Sequence, residues 1–181
     1  MLTQFQRKKM VALFAMFDAD RNGAIEQKDF DQVAGNLADA RKMKAGSAEH
    51  TKLVDQYRAA WKALHKMADA DGDGSITSDE WMKAVTTLVG SEKDFTSVVT
   101  TLANLVFDTF DADRDDFVTS DEFGAFVKAR QVPNASPAVA FKRMDTDGDG
   151  KLSRADVIRL TGEYFKSDDP AAAGNALFGQ V

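Results

Sequence analysis

The sequence repeats one pattern of acidic residues four times, and this repeat constrains the fold more than any other feature. Each copy has Asp at positions 1 and 3, Asp or Asn at position 5, an aliphatic residue at position 8 and an acid at position 12. A polar turn explains the glycines of the pattern, but not an aliphatic residue and a terminal acid at fixed spacing. The copies, named loops 1 to 4, are residues 18–29, 69–80, 111–122 and 145–156.

This spacing suits a hard divalent cation. Ca²⁺ takes six to eight oxygen ligands, and a twelve-residue loop supplies them from side chains at positions 1, 3, 5 and 12 and from the carbonyl at position 7. Glycine at position 6 accepts the positive φ of the sharp turn. The predicted ligands are Asp18, Asp20, Asn22, Ala24 and Asp29; Asp69, Asp71, Asp73, Ser75 and Glu80; Asp111, Asp113, Asp115, Phe117 and Glu122; and Asp145, Asp147, Asp149, Lys151 and Asp156.

Helical patterns flank the loops. Leu13, Phe14 and Phe17 form one apolar face before loop 1, and Phe30 begins the next after it. A loop of this kind between two helices is identified as an EF-hand. The family resemblance implies an all-α fold with four EF-hands in two pairs. The wide spacing of the loops and the abundance of Phe indicate that both pairs pack into one compact body. Short β-bridges are expected between the position 8 residues of paired loops.

The pairs follow the order of the loops along the chain. We expect an N-terminal pair at residues 1–90, with loops 1 and 2, and a C-terminal pair at residues 91–181, with loops 3 and 4 and a packed tail.

The four loops differ in detail. Loop 3 has Asp116 at position 6, and Asp is one of the few residues besides glycine that visits the left-handed region. Loops 1 and 4 end in Asp, which is one methylene shorter than Glu and favours a single oxygen at position 12. Because Mg²⁺ demands six-coordination, we hypothesise that these two loops bind Mg²⁺ and Ca²⁺ competitively. His65, before loop 2, is interpreted as a half-exposed helix residue or a pH-sensitive element.

The chain also resembles a narrower group, the sarcoplasmic calcium-binding proteins and their calerythrin-type bacterial relatives. The shared features are the Asp-ended loop 1 followed by Phe30, the long gap before loop 2, Asp116 in loop 3 and the tail at residues 174–181. The resemblance implies a calcium buffer or modulator, with Leu177 and Phe178 of the tail packed onto the body.

The composition of the chain argues against several other classes of function. A net charge of −6 argues against nucleic-acid binding, and the absence of Cys removes disulfide and thiolate chemistry. No apolar run is long enough to span a bilayer, and the N-terminus lacks the apolar stretch of a signal peptide. We expect a cytoplasmic monomer without a membrane span. Catalysis is not expected, because the acid pairs are already explained as metal ligands.

Two other roles stay open. A calcium sensor would open a Met-rich groove for a target protein, but the seven Met residues of this chain are scattered. A luciferin-type carrier would hold an apolar small molecule, and Trp61 and Trp81 are candidates to line its cavity. The related photoproteins use a His near the C-terminus, whereas both His residues here, His50 and His65, lie in the first half of the chain.

Overall fold

The computed structural model describes residues 1–129 and 136–178. Over these residues the chain forms eight α-helices, two small antiparallel sheets and a final 3₁₀ turn, which confirms the all-α fold with four EF-hands. The elements are α1 (Gln4–Phe17), β1 (Ala24–Ile25), α2 (Gln27–Ala40), α3 (Ala48–Ala68), β2 (Ile76–Thr77), α4 (Ser78–Val89), α5 (Glu92–Phe110), β3 (Phe117–Thr119), α6 (Ser120–Ala129), α7 (Pro137–Met144), β4 (Lys151–Ser153), α8 (Arg154–Lys166) and the 3₁₀ turn Ala173–Ala176. The packing of both pairs into one body stays a prediction.

The two sheets pair the loops through their aliphatic position 8, as predicted. Ile25 lies opposite Ile76 between β1 and β2, and Val118 lies opposite Leu152 between β3 and β4. All four side chains are fully buried. Burial of these branched side chains stabilises the pairing, and the bridge holds two loops at fixed register.

The helices that leave the loops begin with capping interactions. Thr77 accepts a hydrogen bond from the backbone N–H of Glu80, and the Glu80 carboxylate accepts one from the N–H of Thr77. Ser153 and Asp156 form the same reciprocal box at the start of α8. The acid at position 12 therefore fixes the helix start as well as facing the loop.

The described residues form two compact units, one of residues 1–2 and 7–91 and the other of residues 3–6 and those from 92 onward. The core of the first unit is aromatic. Phe17 stacks on Phe30 with ring centroids 5.6 Å apart, and Trp81 packs edge-on against Phe17. The Trp81 indole N–H donates to the Met10 carbonyl at 2.8 Å, so the one polar atom of this buried ring is satisfied.

The core of the second unit includes residues of the C-terminal tail. Phe107, Phe110 and Phe123 pack with the loop residues Val118 and Leu152 and with Ala176 and Leu177 of the tail. Leu177 is only 3% exposed, and the ring of Phe178 packs edge-on against Tyr164 at 4.8 Å.

Polar contacts fix the tail on α8. The N–H of Gly174 donates to the Glu163 carboxylate at 2.7 Å, and the buried Asn175 amide donates to the carbonyl oxygens of Asp169 and Pro170. A Cβ on Gly174 would lie 2.4 Å from the Leu160 carbonyl oxygen. Only glycine allows the two backbones to approach this closely.

Across the part of the chain that the structure describes, no α-helix combines the length and the apolar character that crossing a membrane requires.

Candidate metal centres

Each of the four loops brings at least three carboxylates together. One oxygen from every member of a group lies within 4.8 Å of the others. In loops 1 and 3 the group joins positions 1, 3 and 12, and in loops 2 and 4 it joins positions 1, 3 and 5. The groups are Asp18, Asp20 and Asp29; Asp69, Asp71 and Asp73; Asp111, Asp113 and Glu122; and Asp145, Asp147 and Asp149.

Backbone amides orient the position 1 carboxylates. The N–H of Gly23 donates to Asp18 Oδ2 at 2.9 Å. The N–H groups of Gly74 and Gly150 make the same bond in loops 2 and 4, at 3.2 and 3.0 Å. The position 1 carboxylates accept further N–H groups at position 4 or 5, so the loop backbone wraps each of them.

Left-handed backbone occurs at two positions of every loop. Position 6 has φ of 91°, 90°, 66° and 81° in loops 1 to 4, which confirms that Asp116 adopts the conformation usually taken by glycine. Position 4 has φ of 59°, 77°, 65° and 73°, and in loops 1 and 3 the residue there is Arg21 or Arg114. The repeat pattern did not predict left-handed backbone at position 4, although Gly72 and Gly148 in loops 2 and 4 are its signature.

The position 12 carboxylates of loops 1, 2 and 3 bind their loops in one common way. One oxygen accepts the N–H of position 9, and the other reaches back to the N–H of position 2. The position 2 donors, which lie 2.9–3.0 Å from the carboxylate, are Ala19, Ala70 and Ala112. Bonds from the Thr77 backbone and hydroxyl, together with that from Ala70, lower the pKa of Glu80 to about 2.

Loop 4 departs from this pattern at the same carboxylate. Asp156 Oδ2 accepts from the Ser153 N–H and hydroxyl, but Oδ1 faces Arg159 Nη2 at 3.4 Å. The same guanidinium nitrogen lies 3.2 Å from the Thr146 hydroxyl at position 2. Burial works against ionisation of Asp156, yet the Ser153 and Arg159 contacts outweigh it and lower its pKa.

Several basic side chains lie beside the predicted ligands, and the repeat pattern alone did not identify them. Lys28 Nζ is 3.0 Å from Asp20 Oδ2 and lowers the pKa of that carboxyl. His65 Nε2 is 2.7 Å from Asp69 Oδ2, with the His side chain 38% exposed. The signal for His65 was its spacing of four residues from Asp69 on a helix, and for Arg159 its spacing of three from Asp156.

The remaining predicted ligands are backbone carbonyls at position 7. Ala24, Phe117 and Lys151 begin β1, β3 and β4, and Ser75 directly precedes β2. Their role, like that of the side-chain ligands, stays a prediction. The donor set of closely spaced carboxylate oxygens in a wrapped loop fits a hard cation such as Ca²⁺.

Comparison with protein families agrees with this donor set. A model described as an EF-hand domain pair matches residues 99–162, a second pair model matches residues 1–34, and an EF-hand model matches residues 66–85. These matches define the class as EF-hand proteins.

Individual relatives narrow the class. Calerythrin of Saccharopolyspora erythraea is 28% identical over 91% of this chain and 94% of its own length. A sarcoplasmic calcium-binding protein of Perinereis vancaurica tetradentata is 31% identical over 72% of this chain and 73% of its own. The solved sarcoplasmic calcium-binding protein of amphioxus superposes with a TM-score of 0.81 at 21% identity, covering all of both chains, and shows the same fold. The chain belongs to the EF-hand calcium-binding proteins, in the group of calerythrin and the sarcoplasmic calcium-binding proteins.

Another relative is named for a different ligand. A luciferin-binding protein of Renilla reniformis is 20% identical over 98% of this chain and 95% of its own. The relatives compared are binding proteins rather than enzymes.

Proposed function

We propose that this protein is a calcium buffer or modulator whose four loops take up Ca²⁺ at the twenty predicted ligand positions. Membership of the family supports calcium binding, and the convergent carboxylates supply the ligands. The repulsion among these carboxylates is relieved when a divalent cation binds, which gives each loop its driving force.

The observation that favours a buffer is the position of the C-terminal tail. A sensor works by exposing an apolar groove between its helices to a target helix. In the second unit Leu177 is buried among Phe110, Phe123 and Leu152, so the tail already covers the apolar surface that a groove would offer. The helices of this EF-hand pair could open a groove only if the tail left the core.

A hydrophobic dye tests this role. We expect dye fluorescence to change by less than about twofold when Ca²⁺ is added to the metal-stripped protein, because the tail stays in place. A variant with Leu177→Ser is the positive control, because a hydroxyl in the core weakens the packing of the tail against the second unit. A large calcium-dependent rise in the wild-type protein would contradict the buffer and indicate a sensor for a target protein.

Mg²⁺ competition at loops 1 and 4 is part of the proposal. Both loops end in Asp, and the single oxygen that we expect at position 12 suits an octahedral ion. Calcium titrations with and without millimolar Mg²⁺ test this. Mg²⁺ should weaken apparent Ca²⁺ binding at these two loops and leave Ca²⁺ binding at loops 2 and 3 nearly unchanged. If Mg²⁺ failed to weaken Ca²⁺ binding at loops 1 and 4, or weakened it equally at all four loops, the terminal Asp would not be the determinant.

An apolar small-molecule carrier is the second candidate, favoured by the likeness to the Renilla protein. The surroundings of the two tryptophans count against it. Trp81 packs on Phe14 and Phe17, and Trp61 packs on Phe30 and His65. A chromophore that remains bound through purification, detected by absorbance and mass spectrometry, would favour the carrier.

We also propose that the protein is cytoplasmic and monomeric.

A further inference from the structure

Within the four described loops, Arg159 is the one cation that lies between a position 12 carboxylate and the position 2 residue of the same loop. In loops 1 to 3 the free oxygen at position 12 reaches back to the N–H of position 2. In loop 4 the guanidinium of Arg159 stands between these groups, 3.4 Å from Asp156 Oδ1 and 3.2 Å from Thr146 Oγ1. The carboxylate that should complete the oxygen shell is thus engaged by a cation.

The shorter side chain of Asp does not explain this difference. Loop 1 also ends in Asp, and Asp29 Oδ1 accepts the N–H groups of Ala19 and Asp20 at 3.0 and 3.2 Å. Asp29 is fully buried, whereas the Asp156 side chain is 30% exposed. The position three residues after the terminal Asp is Gln32 in loop 1 and Arg159 in loop 4.

Basic side chains contact other loops at different positions. Lys28 contacts position 3 of loop 1, and His65 contacts position 1 of loop 2, yet both carboxylates remain in their convergent groups. Loop 2 also has a cation three residues after its terminal acid, Lys83, but Glu80 keeps its bond to Ala70. A positive charge near the loop is therefore not sufficient, and the contact with position 12 is what distinguishes loop 4.

We propose that Arg159 is an affinity-setting residue that competes with the cation for Asp156 and makes loop 4 the weakest of the four calcium sites. This inference rests on the proposed calcium binding by the loops and adds a residue outside the loop that sets the affinity. Two physical terms act in the same direction. The ion must displace the guanidinium from Asp156, and it meets a fixed positive charge a few ångströms away.

A weak fourth site would extend the working range of the protein. The three stronger loops fill first as calcium rises, and loop 4 takes up the ion only at higher concentrations. A buffer with graded sites absorbs calcium over a wider range than one with four equal sites.

Three glycine amides give site-specific readouts for the test. Gly23, Gly74 and Gly150 each donate to the position 1 carboxylate of their own loop, so their amide resonances follow metal binding in loops 1, 2 and 4 separately. Calcium midpoints are measured for all three by NMR, with free Ca²⁺ set by chelator buffers. The variants are Arg159→Gln, which gives loop 4 the residue of loop 1, and Lys83→Gln, which removes the same charge at the same offset in loop 2.

We expect Arg159→Gln to lower the Gly150 midpoint by about three- to tenfold, because the ion no longer has to displace a guanidinium that contacts Asp156. The Gly74 midpoint should move by less than about twofold, and Lys83→Gln should change neither midpoint by more than that. Because Arg159 is partly exposed, the effect should shrink at 0.5 M salt as screening increases. Circular dichroism and thermal unfolding check that both variants fold.

An unchanged or higher Gly150 midpoint in Arg159→Gln would overturn the proposal, and so would an equal shift produced by Lys83→Gln. A wild-type Gly150 midpoint at or below that of either Gly23 or Gly74 would overturn it as well. If no glycine amide of the wild-type protein responded to calcium, the proposed function itself would fail, which the Gly74 resonance reveals in the same sample.

Discussion

Position 4 of the loops shows how a single backbone angle constrains a residue that is not among the predicted metal ligands. Arg21 has φ of 59° and Gly72, at the same position of loop 2, has φ of 77°. A non-glycine residue in this region costs about 1 kcal/mol or more, because its Cβ approaches the backbone too closely. Nothing lies within 4 Å of a Cβ built on Gly72, so the local backbone alone sets the cost there.

Exchanging these residues measures that cost. Arg21→Gly should raise the free energy of unfolding by about 0.5–1 kcal/mol, the strain relieved less the entropy that glycine gains in the unfolded chain. Gly72→Arg should lower it by a similar amount. Urea unfolding in the presence of a chelator checks both variants, and changes of the same sign would contradict the explanation.

Ionisation of the buried Tyr164 phenol should make the free energy of unfolding depend on pH in the alkaline range. Burial raises the pKa of its phenol, which is fully enclosed in the second unit. In the unfolded chain the phenol titrates near pH 10, so its contribution is complete below that pH. Above it the free energy of unfolding should fall by up to about 1.4 kcal/mol per pH unit.

Comparison with Tyr164→Phe isolates this effect. The variant cannot ionise, so its stability should fall less steeply between pH 10 and 12 than that of the wild type. Denaturant unfolding across this range provides the slopes. Parallel slopes would show that Tyr164 ionises without unfolding.

The sequence predicted the site at residue level only in part. The five ligand positions of each loop follow from the repeat, because the chemistry of the ion demands oxygens at those offsets. The contacts of Lys28, His65 and Arg159 do not follow from it, because side-chain rotamers decide whether a nearby basic side chain contacts a ligand. The helical spacing of His65 and Arg159 shows that contact is sterically allowed, and the structure shows that it occurs.

At the scale of elements, the sequence predicts the pairing of the short sheets more fully than the packing of the tail. The pairing of Ile25 with Ile76 and of Val118 with Leu152 follows from the loop pattern, because each aliphatic position 8 needs a partner. The seat of the tail on α8 depends on Gly174, and no local pattern marks that glycine. A close approach between segments distant in sequence exists only once the helices have packed.

Gly174→Ala should weaken the seat of the tail. Its Cβ would meet two backbone atoms, the Leu160 oxygen at 2.4 Å and the Tyr164 nitrogen at 2.8 Å, neither of which can rotate away. We expect a loss of about 1–3 kcal/mol in the free energy of unfolding and increased binding of a hydrophobic dye.

Gly162→Ala is the matched control within the same region. Gly162 lies inside α8, and a Cβ there would meet Val99 Cγ1 at an ordinary 3.8 Å. Alanine favours the helix, so this variant should be as stable as the wild type or up to about 1 kcal/mol more stable. Equal losses in both variants would contradict a specific role of Gly174.

At the scale of the whole molecule, metal binding and folding are one equilibrium. Four divalent ions more than neutralise the net charge of −6 and relieve the repulsion within each acidic group. An ion present at a hundred times its dissociation constant adds about 2.7 kcal/mol per site to the free energy of unfolding. Removal of calcium with a chelator should therefore lower the melting temperature, and the effect should disappear when calcium is restored.

The most direct measurement is a calorimetric calcium titration of the metal-stripped protein. Four ions per chain are predicted, with the last bound more weakly than the other three. The Asp69→Ala variant, titrated in parallel, should bind one equivalent fewer, since Asp69 is a predicted side-chain ligand of loop 2. No uptake at millimolar calcium by a folded wild-type chain would contradict the account, whatever the fold resembles.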